Sequence, residues 1–110
     1  MDKVKVFDAN NFNQEVLCAQ EPVLVDIWAP WCAPCNAMTP VVAQVAEEFT
    51  VGKLNLEENM ELCKQYEVSA IPTFLFFKNG MVANRRMGMQ SAEDLKVIMQ
   101  KLSESGNLEG

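Results

Sequence analysis

The chain has 110 residues, 49% of them hydrophobic and 22% charged, which predicts one compact soluble domain with a single core and leaves no room for a second domain. Its formal net charge of -6 excludes a nucleic-acid surface, because neutralising phosphates requires clustered Lys and Arg. The start, MDKVKVFDANNF, lacks the apolar stretch of a secretory signal and no later run is long enough for a membrane span, so we expect a cytoplasmic protein that does not bind membranes.

Strand-like and helix-like segments alternate along the first half of the chain. Residues 3–7 alternate as a strand does, and Asn10 is positioned to cap a short helix that ends near Cys18. The segment Val23–Trp28 is apolar at nearly every position, which is typical of a central strand covered on both faces. Apolar residues then recur at helical spacing, so we predict a long amphipathic helix kinked at Pro40.

The second half of the chain predicts a strand at residues 51–56 and a short helix at 59–66. Two strands at 74–77 and 81–87, joined by a tight turn, and a final helix from residue 92 onward follow. Asn79-Gly80 favours the hairpin turn, and Ser91 is positioned to cap the last helix. The order β-α-β-α-β-α-β-β-α predicts an α/β fold with a mixed sheet between helices. We assign residues 1–105 to one domain and expect residues 106–110 to form a disordered tail.

The most informative stretch is WAPWCAPC, which carries two thiols three positions apart. We expect Cys32 where the central strand ends and a helix begins, with Pro34 in the first turn of that helix. Backbone N–H groups and the positive helix end then stabilise the Cys32 thiolate, which makes it a nucleophile at neutral pH. Cys35 lies one turn further, close enough to attack a mixed disulfide formed by Cys32.

Other chemistries compete for the same pair. A zinc site is disfavoured because the chain has no His, and Cys18 and Cys63 lie on separate predicted helices. A permanent disulfide across so short a loop restricts the unfolded chain little, and a cysteine hydrolase lacks its imidazole partner. Redox exchange is therefore favoured. We expect Cys18 and Cys63 to be buried small hydrophobes, with redox regulation or dimer formation as the alternative.

An ordered set of motifs resembles the thioredoxin family from Val4 to Leu102. The motifs are VDIWAPWCAPC ending at Cys35, Pro40, Lys53-Leu54-Asn55, Ile71-Pro72-Thr73, Phe77-Lys78-Asn79-Gly80 and Gly88. The resemblance implies a sheet of about five strands flanked by four helices, and the reduction of protein disulfides. It also implies no bound cofactor, since a thioredoxin reductase, usually a flavoprotein drawing on NADPH, supplies the electrons. The expected partners are that reductase and disulfide-containing client proteins, and we expect a monomer.

Asp26 stands inside an apolar strand, where a carboxylate is costly unless the position faces solvent or an edge. The resemblance implies instead that Asp26 is buried behind Cys35, with a raised pKa, and takes the proton of Cys35 during resolution. Lys53 corresponds to the family lysine near that carboxylate. The turn before Lys53 looks shorter than in many relatives, so an ordinary exposed strand lysine stays open as the alternative.

The resemblance also implies a cis-proline loop at Ile71-Pro72 and an apolar rim around Cys32 that docks substrates. The rim residues are Trp31, Ala70, Ile71, Pro72, Met87, Gly88 and Met89. Trp28 is expected beneath the site, in the active-site loop that also holds Ala33 and Pro34. Core positions for Met87 and Met89 are equally compatible with the sequence.

Two positions depart from the family pattern. Ala33 stands where the family usually has Gly, and Asn36 stands where many relatives carry Lys or Arg. Losing that positive charge weakens the stabilisation of a thiolate nearby. A specialised oxidant, isomerase or single-partner redox protein therefore stays open. A binding module that uses the fold without catalysis is a further alternative, which the intact CxxC motif, Asp26 and Ile71-Pro72 disfavour.

Overall fold

A computed structural model describes residues 3–105 of the chain. Within these residues the strands are β1 (Lys5–Phe7), β2 (Val23–Trp28), β3 (Thr50–Asn55), β4 (Thr73–Lys78) and β5 (Met81–Met87). The helices are a π-helical segment (Asn13–Leu17), α1 (Ala33–Ala37), α2 (Thr39–Ala46), α3 (Met60–Gln65) and α4 (Ala92–Ser105). The predicted tail at residues 106–110 lies outside the described residues and stays a prediction.

The strands form one mixed sheet in the order β1-β3-β2-β4-β5. β1 and β2 both pair with β3 in parallel, whereas β4 is antiparallel to β2 and to β5. The central position of β2 explains its apolar sequence, since helices cover both faces of the sheet around it. The predicted α/β fold with a mixed sheet is therefore confirmed, with α1 and α2 as the two halves of the long predicted helix.

Two cores lie on opposite faces of the sheet because alternate β2 side chains point to opposite sides. On one face Val25 and Ile27 pack with Val16 of the π-helical segment and Cys63 of α3. On the other face the core consists of Leu24, Met38, Val42, Val45, Ala46, Val51, Phe74, Phe76, Leu95 and Met99. The second core joins α2 and α4 to the sheet, and it includes Met38, where the helix that carries Cys35 ends.

The break between α1 and α2 falls at Met38, two residues before Pro40, which occupies the first turn of α2. A proline there lacks the N–H that would continue α1, so the predicted kink is confirmed as a break. The hairpin is confirmed as well: Asn79 and Gly80 both have positive φ, at 54° and 79°. Ser91 Oγ accepts the backbone N–H of Asp94 at 3.0 Å, as predicted for a cap.

The prediction for the first helix is wrong in its cap and its start. The helical segment begins at Asn13 and is a π-helix, and it has no side-chain cap hydrogen bond. Asp8 takes the expected role of Asn10, since its Oδ1 accepts the backbone N–H groups of Asn10 and Asn11 at 2.8 and 2.9 Å. The turn is therefore stabilised by the Asp8 carboxylate, two residues before Asn10, and not by the Asn10 side chain.

The two cysteines outside the CxxC motif, Cys18 and Cys63, differ in burial. Cys63 is buried, as expected, but Cys18 is exposed, so the expectation of a buried Cys18 is wrong. Cys18 follows the π-helical segment directly, where its backbone N–H reaches the Asn13 carbonyl while the side chain stays in solvent. No helix within residues 3–105 combines the length and the apolar character needed to cross a membrane.

Candidate active site

The dithiol lies at the junction between β2 and α1, as the sequence predicts. Cys32 is the N-cap of α1 and has extended backbone angles, and Pro34 lies in the first helical turn. The backbone N–H of Cys35 donates to Cys32 Sγ at 3.2 Å. In this structure the two cysteines form a disulfide, with their Cα atoms 5.2 Å apart. A backbone donor aimed at Cys32 Sγ stabilises negative charge there when the disulfide is reduced.

Both cysteines of the disulfide are buried in this structure. Cys32 is 5% exposed and Cys35 is 2% exposed, and both pack with Ala29 in a small cluster of their own. Trp28 and Ile71 pack against this cluster, so Trp28 lies where the resemblance implies.

Asp26 lies in the middle of β2 and is 1% exposed, so a solvent-facing position is ruled out. Its Oδ1 atom is buried and has no hydrogen-bond partner among residues 3–105. Burial raises the pKa of Asp26 from 3.8 to about 7, and the nearby charge of Lys53 opposes this rise. The carboxyl group can therefore gain or lose a proton near neutral pH.

Lys53 pairs directly with Asp26 across the parallel β2 and β3 strands. Its ammonium lies 4.3 Å from the centre of the Trp28 ring, within the range of a cation–π interaction. The side chain is half-buried. Lys53 is thus held between the carboxylate and the indole, and the alternative of an ordinary exposed lysine does not apply.

The predicted rim residues lie in three segments of the chain, of which the two that hold Pro72 and Gly88 are joined by a hydrogen bond. The Ile71–Pro72 peptide bond is cis, and the Pro72 carbonyl accepts the backbone N–H of Gly88 at 2.9 Å. Trp31, Met87 and Met89 are 64%, 57% and 60% exposed, so Met87 and Met89 are surface residues and not core. Ala70 is exposed and Ile71 half-buried beside them. Trp31, Met87 and Met89 are therefore exposed apolar side chains.

The sequence reasoning missed two contacts that shape this site. The Trp31 indole N–H donates to the Glu57 carboxylate, which ties the active-site loop to the segment before α3. The Asn36 side-chain amide donates to the Pro30 carbonyl at 3.1 Å, so this departure from the family pattern bridges the loop around Cys32. No local sequence pattern predicts either contact, because the two partners approach each other only when the loop has folded.

Dithiol exchange requires two cysteines that can form a disulfide with each other, and Cys32 and Cys35 do so in this structure. A metal centre is not supported, since the part of the chain from residue 3 to 105 holds no group of three His, Cys, Asp or Glu side chains able to bind an ion.

Comparisons with known proteins agree with this geometry. The family model described as Thioredoxin matches residues 3–101. The chain is 42% identical to the thioredoxin of Pseudomonas aeruginosa, over 87% of this chain and 92% of that protein. It is 38% identical to Thioredoxin 1 of a Nostoc species, over 84% of this chain and 90% of that one. A solved structure of a mutant thioredoxin from Halobacterium salinarum has a TM-score of 0.84 and 28% identity, and the match covers 93% of each chain.

Proposed function

The chain belongs to the thioredoxin family, and we propose that Cys32 is its attacking thiol and Cys35 its resolving thiol. Membership makes the protein a thiol-disulfide oxidoreductase with protein-disulfide reductase activity. One observation carries the assignment of roles: the Cys35 backbone N–H donates to Cys32 Sγ at 3.2 Å. That donor favours the thiolate form of Cys32, and the thiolate is the nucleophile in disulfide exchange.

In the first step the Cys32 thiolate attacks one sulfur of a substrate disulfide. The substrate S–S bond breaks, a bond forms between Cys32 Sγ and that sulfur, and the other substrate sulfur leaves as a thiolate. In the second step Cys35 attacks Cys32 Sγ, the mixed disulfide breaks and the second substrate thiol leaves. Two electrons have then passed to the substrate, and the protein holds the Cys32–Cys35 disulfide.

Asp26 is the proposed acceptor of the Cys35 proton in the second step. A general base works best when its pKa lies near the operating pH, and burial brings the pKa of Asp26 to about 7. Lys53, paired with Asp26 across the sheet, opposes that rise and so adjusts the value. This pair supports proton transfer at neutral pH without any bound cofactor.

The proposed docking surface for client proteins consists of Trp31, Ala70, Ile71, Pro72, Met87, Gly88 and Met89. The cis-proline loop and the Gly88 turn lie side by side, joined by the hydrogen bond from the Gly88 N–H to the Pro72 carbonyl. The exposed apolar side chains beside them favour an extended, apolar segment around the substrate disulfide.

The proposed electron donor is a thioredoxin reductase, a flavoprotein that draws on NADPH. The proposed place of action is the cytoplasm, where the glutathione pool keeps free thiols such as Cys18 and Cys63 reduced. The proposed state is a monomer whose partners are the reductase and disulfide-containing clients. These partners meet the same surface around Cys32, since both exchanges pass through that sulfur.

A second candidate is an oxidant or isomerase, and the observation that favours it is Asn36. An amide bonded to the Pro30 carbonyl replaces the positive charge common at this position in the family. The reduction potential separates the two, measured in a Cys18→Ala, Cys63→Ala background against glutathione and dithiothreitol buffers. A potential near or below the cytosolic glutathione poise supports the reductase, and one well above it supports the oxidant.

Insulin reduction with dithiothreitol as electron source tests the assignment of roles. We expect Cys32→Ser to lower the rate to that of dithiothreitol alone. Pre-reduced Cys35→Ser, mixed with insulin in the absence of dithiothreitol, should accumulate a mixed disulfide visible by mass spectrometry. Cys18→Ser, at an exposed position, is the matched control and should react at the wild-type rate. Insulin reduction by Cys32→Ser faster than that by dithiothreitol alone would overturn the proposal.

A further inference from the structure

Helix α3 ends in a backbone conformation that residues other than glycine rarely adopt. Glu67 has a φ of 56°, and its N–H and that of Val68 donate to the Lys64 and Cys63 carbonyls at 2.9 and 3.0 Å. This is the hydrogen-bond pattern of a Schellman motif, whose left-handed residue is usually Gly. With Glu in that place, the turn benefits from further contacts that hold it.

Arg85 of β5 supplies such contacts. Its Nη2 donates to the Tyr66 carbonyl at 2.5 Å, and its Nη1 donates to the Glu67 carbonyl at 3.5 Å. Neither carbonyl takes part in the two Schellman hydrogen bonds, so the guanidinium binds the carbonyls that the motif leaves free. The side chain is half-buried, and a planar guanidinium presents two donors to adjacent acceptors.

The turn that Arg85 holds leads directly into the cis-proline loop. Glu67 stands five positions before Pro72, while Arg85 stands three positions before Gly88, whose N–H donates to the Pro72 carbonyl. The end of β5 and the turn after it therefore hold the segment from residue 67 to 72 at both of its ends. A shift of either end would move the two halves of the docking surface relative to each other.

We propose that Arg85 is a positioning residue for substrate docking: by binding the Tyr66 and Glu67 carbonyls, it keeps the cis-proline loop in register with the Gly88 turn. This role rests on the docking surface proposed above. Among the described residues the hydrogen bonds of the Arg85 side chain go to the Tyr66 and Glu67 carbonyls and not to either sulfur, so it acts on the recognition of protein substrates and not on the chemistry at Cys32.

The test compares two substrates for Arg85→Ala, Arg85→Lys and Arg86→Ala. Pre-reduced protein is mixed with insulin or with the small disulfide hydroxyethyl disulfide, at a temperature where circular dichroism finds every variant folded. Arg86→Ala is the matched control, because Arg86 is exposed and its side chain bonds only within its own strand among the described residues.

We expect Arg85→Ala to slow insulin reduction about fivefold or more, as the loss of a charged hydrogen-bond donor suggests. The rate with hydroxyethyl disulfide and the reduction potential should stay at wild-type values, since neither depends on the docking surface. Arg85→Lys should recover part of the insulin rate, because an ammonium can still donate to one carbonyl. Arg86→Ala should behave as wild type.

Two results would overturn this role of Arg85. Unchanged insulin reduction in Arg85→Ala would show that docking does not need it, and equal slowing with both substrates would show a general structural defect. Failure of the proposed function looks different, since it would appear in the protein with Arg85 intact as insulin reduction that does not depend on Cys32.

Discussion

Replacing Asp26 by Asn tests how strongly burial acts on the carboxyl group in the middle of β2. The substitution keeps the size and shape of the side chain but removes its ionisation. Asp26 is buried, and its Oδ1 has no hydrogen-bond partner within the described residues, so the charged form is unfavourable in the folded protein. The free energy of unfolding of the wild type should therefore depend on pH through this residue.

The sign and size of the effect follow from the pKa. In the folded protein burial raises the pKa of Asp26 from 3.8 to about 7, so between these pH values the folded state binds more protons than the unfolded state. The contribution of Asp26 to the free energy of unfolding is therefore greatest below about pH 4, and it is lost as pH rises towards 7. The whole difference amounts to about 4 kcal/mol, at 1.36 kcal/mol for each pH unit.

The assay is urea unfolding of the oxidised protein at intervals between about pH 4 and pH 8, followed by circular dichroism. We expect the stability of Asp26→Asn relative to wild type to rise by about 4 kcal/mol across this range. The buried Asn amide adds a contribution that does not change with pH, so the slope is the quantity compared. Glu58→Gln removes a carboxylate from an exposed position and is the matched control.

The reasoning would be refuted if the free energies of unfolding of Asp26→Asn and wild type differed by the same amount at every pH. That result would mean that folding leaves the ionisation of Asp26 unaffected. A slope equally large in Glu58→Gln would assign the effect to net charge and not to burial.

Three further predictions follow from packing, capping and exposure. Gly52→Ala should destabilise the fold by about 1–3 kcal/mol in urea unfolding, since the new Cβ would lie 2.3 Å from the Phe7 ring. Ser91→Ala should lower the stability by about 1 kcal/mol through loss of the α4 cap, with a matching fall in melting temperature. Cys63 should be alkylated by iodoacetamide at neutral pH more slowly than Cys18 in the oxidised protein, because burial raises the pKa of Cys63 to about 11 while Cys18 is exposed.

Each of these outcomes has a clear opposite. Wild-type stability of Gly52→Ala would mean that the Phe7 ring has room to move. For Ser91→Ala the control is Ser103→Ala, which makes the same change within α4 but away from the cap, and an equal loss of stability in both variants would speak against the cap. Equal alkylation of Cys18 and Cys63, read by peptide mass spectrometry, would mean that the helix carrying Cys63 opens readily.

The sequence by itself determined the features that depend on neighbouring residues. The apolar run at Val23–Trp28, the Asn79-Gly80 turn and the Ser91 cap each reflect a backbone preference set within a few positions of the chain. The break at Pro40 has the same local origin, since the ring removes a helical donor. The place of the dithiol between strand and helix follows from these elements, and for that reason the sequence alone is enough to identify Cys32 and Cys35.

The tertiary structure decided what depends on residues far apart in the chain. The pKa of Asp26 is set by everything packed around it, including Lys53 from another strand. The local pattern at Asn10 is misleading, because the upstream Asp8 carboxylate accepts the backbone N–H groups of Asn10 and Asn11 and holds the turn before the helical segment. The contact from Arg85 to the end of α3 spans 18 residues or more, and no local preference encodes it. Local preferences predict the elements, whereas burial, charge and long-range hydrogen bonds arise only when those elements pack together.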